Sequence, residues 1–110
     1  MTSPSSGRKD PEKVFRGQLT TVIRNLERSI DDLLANFWEE PLRRHAHELS
    51  SALLAGCKTF GYLELGSVAR AITSLLTLTM EDVIALQQSL TDKLRELVAL
   101  LKEMAAMMAA

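Results

Sequence analysis

This chain is short of several things, and each shortage removes a class of function. It has one cysteine, Cys57, in 110 residues. One thiol builds neither a disulfide framework nor a cysteine-based metal site within one chain, so Cys57 reads as a buried structural thiol. Aromatic residues make up only 5%, too few for platforms on which bases stack. Neither sign of charge prevails: 13 Lys and Arg stand against 14 Asp and Glu, for a net charge of −1, and the pI is near 6.1. A general nucleic-acid binder carries a basic excess instead. No apolar run approaches the roughly 18 residues that span a bilayer, and the first residues lack the apolar segment of a signal peptide. The expectation is a soluble cytoplasmic protein with no nucleic-acid or membrane partner. No Gly-rich loop is followed by Lys-Ser or Lys-Thr, and no HExxH motif occurs. His45 and His47 are two residues apart, so on a helix their rings diverge. The expectation is therefore no metal site, no cofactor and no independent enzyme activity.

What is present is a helical pattern. Apolar residues reach 46%, and no Gly-rich or Pro-rich tract divides the chain, so one small domain is expected. Residues 1–9 are small and polar and read as a disordered tail. Residues 10–110 read as one bundle. Asp10-Pro11 opens a first helix, with Asp10 as cap and Pro11 in the first turn. Phe15, Leu19, Val22, Ile23, Leu26, Ile30, Leu33 and Leu34 continue it at helical spacing to about Phe37. Trp38 is expected to close that end of the bundle. Pro41 starts a second helix to about Lys58, with Gly56 loosening its last turn and Gly61 stopping it. A third runs from Tyr62 or Leu63 to about Leu76, with Gly66 permitting close helix contact. Thr79 to Asp82 resembles a capping box and opens a fourth, whose apolar stripe is Val83, Leu86, Leu90, Leu94, Leu97 and Leu101. Four amphipathic helices with short connections predict an all-α, antiparallel four-helix bundle.

One stretch carries more than periodicity. Pro41 to Leu65 reads PLRRHAHELSSALLAGCKTFGYLEL. Its Ala46-His47-Glu48-Leu49-Ser50-Ser51-Ala52 run and its Phe60-Gly61 pair resemble the signature of the histidine phosphotransfer (HPt) domain, roughly A-H-x-L-K-G-S-A-x-x-F-G. The resemblance covers about 25 residues closely. It implies an HPt-like bundle that relays a phosphoryl group in two-component signalling, with a response-regulator receiver domain or a histidine kinase as partner. It also implies a monomer, or one domain of a larger protein. Any Mg²⁺ would come with the receiver.

The motif fits in two registers. Aligned from its left side, His47 is the phosphoacceptor, and Leu53 to Gly56 look like an insertion before Phe60-Gly61. Aligned from its right side without a gap, Ser51 stands at the histidine position and the nucleophile is lost. Four residues are about one helical turn, with a drift of ~40°, so both registers keep nearly the same face inward. His47 and Ser51 lie one turn apart on one stripe. The family's lysine three residues after the histidine is missing, since Ser50 stands there. Arg43, Arg44, Ser50, Ser51 and Lys58 are the candidates to face phosphate or partner. The first register predicts a phosphorelay intermediate that accepts phosphate on His47. The second predicts a degenerate domain that docks a receiver or kinase.

Overall fold

The computed structural model describes residues 10–109; the tail expected over residues 1–9 lies outside them. The described residues form four helices and no strand: α1 Pro11–Ala35, α2 Glu40–Phe60, α3 Leu63–Leu75 and α4 Met80–Ala109. Each helix packs on its neighbour in sequence, and α4 returns to pack on α1. The diagonal pairs α1/α3 and α2/α4 do not approach one another.

The core fills the space the four apolar stripes enclose. Leu19, Ile23, Leu26, Ile30 and Leu33 of α1 are buried, as are Ala46, Leu53 and Cys57 of α2. Val68, Ala69 and Ile72 of α3 and Leu90, Leu94, Val98 and Leu101 of α4 complete it. Two glycines set close approaches. A Cβ on Gly66 would lie 3.2 Å from Cys57 Cβ, and one on Gly56 would collide with the Phe15 ring. Gly56 therefore does not loosen α2, which runs on as helix to Phe60; it leaves room for an aromatic ring of α1.

Local chemistry accounts for most of the boundaries. The Asp10 carboxylate accepts the Glu12 N–H at 3.0 Å, and Pro11 occupies a position with no intrahelical donor to lose. The Thr79 hydroxyl accepts the Asp82 N–H at 3.2 Å, one half of the expected capping box. Gly61 ends α2 with φ +77, in the left-handed region that glycine adopts without a Cβ penalty.

Three expectations are corrected. Helix α1 stops at Ala35, two residues short of Phe37. Phe37 (φ +54) and Trp38 (φ +60) both turn into the left-handed region, and the Trp38 N–H donates to the Leu33 carbonyl at 3.0 Å. Trp38 swings inward and is 2% exposed, while Phe37 swings out and is 80% exposed. The Glu40 backbone is already helical, so α2 begins one residue before Pro41. In α4, Leu86 has non-helical φ −116 and ψ 18. That break shifts the phase of the first turns, so Val83 and Leu90 are buried and Leu86 is half-exposed.

Candidate functional site

The two ends of α2 fix how its faces point. At its C-terminal end Phe60 packs on Phe15, ring centroids 5.3 Å apart, and Tyr62 stacks on the same ring at 5.6 Å. The Tyr62 hydroxyl donates to the Glu12 carboxylate. Phe60, Gly61 and Tyr62 therefore form an anchored corner against the start of α1. At the other end the Arg43 guanidinium donates to the Leu78 carbonyl at 2.5 Å and to Glu40 at 2.7 Å, tying α2 to the α3–α4 connection.

These ties decide which candidate residues reach the surface. Ser50 does not: it is fully buried, and its hydroxyl lies 3.2 Å from the Ala69 carbonyl and 2.5 Å from the Thr73 hydroxyl. It serves as a polar contact between α2 and α3. The expectation that Ser50 faces a partner is corrected by that burial. Arg43 is half-buried with its guanidinium already engaged, so its charge is committed to the fold. Arg44 and Lys58 are exposed, and Arg44 lies 3.9 Å from Glu40. His45 is exposed on another side of the helix.

His47, Ser51, Leu54 and Lys58 follow one another at spacings of four, three and four, which is one stripe of a helix. The first three are half-buried. They share the side of α2 on which Arg43 and Ser50 reach toward α3. His47 Nδ1 lies 3.5 Å from the Ser51 hydroxyl, the one side-chain hydrogen bond of either residue among the described residues. Beyond Ser51 the outer surface of α2 is small: Ala52 and Ala55 are exposed.

The stripe ends in a shallow opening of about 170 Å³ between α2 and α3. Leu54, Cys57, Gly66 and Leu63 line it, with Lys58 and Arg70 as its charged groups. Neither cation forms an ion pair among the described residues. Burial pushes the Cys57 thiol up to about 11, so it stays protonated at neutral pH. Sequence reasoning reached Lys58 but did not single out Arg70. Its place across from Lys58 depends on the Gly66–Cys57 approach, which periodicity does not encode.

Among the described residues no cluster of three His, Cys, Asp or Glu side chains is placed to hold a metal ion. No helix among them is long and apolar enough to cross a membrane. No family model, no curated protein and no solved structure matches the chain.

Proposed function

We propose that this chain is an antiparallel, HPt-like bundle that docks a receiver domain or a histidine kinase through the outer stripe of α2, with Ser51 where the family carries its histidine. The observation that carries this reading is the anchored corner at Phe60-Gly61-Tyr62. In the motif, Phe-Gly is a fixed point from which the acceptor position is counted. Here that point is held by ring stacking and a left-handed glycine cap, which supports counting back from it without a gap. That count leads to Ser51. Taking His47 instead moves the acceptor about 6 Å along the helix axis, four residues at 1.5 Å each.

Charge supports the same reading. A phosphohistidine needs positive charge beside it, and the lysine that supplies it in the family is replaced by the buried Ser50. Arg43, the nearest substitute one turn earlier, is committed to Leu78 and Glu40. What remains outside is a surface of small residues around Ser51, Ala52 and Ala55, with exposed Glu48 one turn before them and Arg44 and Lys58 at its two ends. Such a surface lets a partner approach closely and offers cations to an acidic face. A receiver domain, whose phosphorylation site is built from carboxylates, fits that description.

One observation favours a second reading, the phosphorelay. If His47 Nδ1–H donates to Ser51, the Nε2 lone pair is available. It would attack the phosphorus of a receiver aspartyl phosphate in line, forming N–P as the P–O bond to the carboxylate breaks. The receiver would supply Mg²⁺.

A single experiment separates the two. Phosphorylated receiver is incubated with the wild-type chain and with His47→Gln, followed by measurement of binding and of acid-labile, base-stable phosphate. Docking predicts binding by both proteins and label on neither, with binding weakened by Ser51→Arg. Label on the wild type that vanishes in His47→Gln would establish the relay. No binding by either protein overturns both.

A further inference from the structure

The α1–α2 turn is built against local preference. Two consecutive residues that are neither Gly nor Asn stand at φ +54 and +60, a region costly for residues with a Cβ. The Trp38 Nε1–H is buried without a hydrogen-bond partner. Helix α1 has no basic residue in its last turn, while Asp31 and Asp32 stand close to the negative end of its dipole. The result is an exposed phenyl ring between the negative end of α1 and the positive end of α2, with Asp32 and Glu39 its unpaired acidic neighbours in sequence. Glu40 is ion-paired with Arg43 and Arg44, and Asp31 lines the α1–α4 groove with Arg95 and Lys102, while Asp32 and Glu39 form no ion pair among the described residues. Strain of this kind persists where the surrounding structure holds it; here the turn buries Trp38 and at the same time presents Phe37.

The opposite end of the molecule offers two apolar openings. The larger, about 520 Å³, lies between Leu63 and Met104, Met107 and Met108; its one charged lining residue is Glu64. The smaller is the 170 Å³ opening bordered by Lys58 and Arg70. It falls below the roughly 300–1,000 Å³ of cofactor and ligand pockets, a size suited to one side chain. Charge distinguishes them: Asp32 and Glu39 beside the ring would face Glu64 at the first and the unpaired Lys58 and Arg70 at the second.

From this we infer that the protein pairs with a second copy of itself, the Phe37 ring of each copy seated in the Lys58–Arg70 opening of the other. This goes beyond the docking reading and does not require it; because both use Lys58, a second copy and a receiver would compete for that end of α2. Phe37 and Lys58 flank α2 at its two ends, about 30 Å apart at 1.5 Å per residue. A copy laid alongside in the reverse sense brings each ring level with the other's opening, the arrangement that a closed two-fold pair requires. An anionic lipid surface is disfavoured as the occupant, because the acids around Phe37 would face like charge.

The test is sedimentation equilibrium of the protein alone, so its outcome is independent of any receiver. The wild type is expected to approach a mass of two copies as concentration rises, and to dissociate with added salt. Phe37→Ala, and separately Lys58→Glu with Arg70→Glu, should each weaken association about tenfold or more. Mixing the two variants restores one contact and should yield a heterodimer tighter than either homodimer. Circular dichroism confirms that each variant is folded. A wild type that stays monomeric up to ~1 mM, association unchanged by Phe37→Ala, or growth beyond two copies would each overturn the inference.

Discussion

The left-handed backbone at Phe37 predicts a sign that ordinary helix propensity does not. Replacing Phe37 removes an aromatic ring that is mostly in water, so the loss of contact is small. Comparing Phe37→Gly with Phe37→Ala cancels it, because both variants lose the ring. What remains is the backbone. An L-residue at positive φ costs about 1–2 kcal/mol relative to right-handed geometry, a penalty that glycine escapes. Glycine in turn loses more chain entropy on folding, about 0.5–1 kcal/mol against alanine. The difference leaves Phe37→Gly more stable than Phe37→Ala by about 0.5–1 kcal/mol. For a domain near this size that is a gap in Tm of about 3–6 °C. If Phe37 instead continued α1 as helix, the entropy term would act alone and the order would reverse by a similar amount. Thermal melts and urea titrations of the two variants, run side by side at low micromolar concentration, measure it. Phe37→Ala melting at or above Phe37→Gly would refute the turn geometry, and the argument from strain to presentation with it.

Other expectations follow from packing and titration. Gly56→Ala gains helix propensity but drives its Cβ into the Phe15 ring, so a net loss of about 1–2 kcal/mol is expected in chemical denaturation; Phe15→Leu in the same chain should recover part of it. Cys57, with its thiol pushed up to about 11 by burial, should resist a thiol reagent at pH 8 in the native state and react within seconds to minutes in urea. The Tyr62 phenol is held above its ordinary 10.0, first by its hydrogen bond to Glu12 and then by desolvation. A raised folded-state value means the neutral phenol is favoured by folding. Its contribution is complete below pH 10 and is lost as pH climbs through the higher folded value. Ultraviolet titration should show late ionisation that moves earlier in Glu12→Gln. Ser50→Ala, which removes a buried hydroxyl shared with Ala69 and Thr73, should cost about 0.5–1.5 kcal/mol.

Much of this architecture was legible from spacing. Apolar stripes at three- and four-residue intervals located four helices to within one or two residues, and Asp10, Pro11, Thr79 and Gly61 marked ends through known capping chemistry. The misreadings share a cause: they concern partners distant in sequence or backbone states off the helix. Periodicity extended α1 through Phe37 because apolar residues continue there, yet two left-handed residues end it. Leu86 fits the stripe of α4 by count and leaves it because the backbone breaks at that point. Gly56 read as weakness because the ring that fills its space comes from α1, 41 residues earlier. At the candidate site, the stripe through His47, Ser51 and Lys58 followed from helix geometry. The burial of Ser50 and the commitment of Arg43 did not, since both depend on α3 and on the connection after it.

The circuit of helix contacts bears on the order in which the chain is strung. Three of the four contacts join consecutive helices, and the fourth joins the last helix to the first. Tyr62 marks where they meet, bonded to Glu12 and lining the cleft that also holds Met104, Met107 and Met108. The start of α1 and the end of α4 thus lie beside one residue. A short flexible linker between them would close the backbone into a loop with four equivalent corners. Opening that loop between Leu78 and Thr79 gives a circular permutant that begins at α4 and ends at α3, with every helix pair and the Leu78 acceptor of Arg43 retained. If it folds, the packing of the helices is independent of which one is synthesised first.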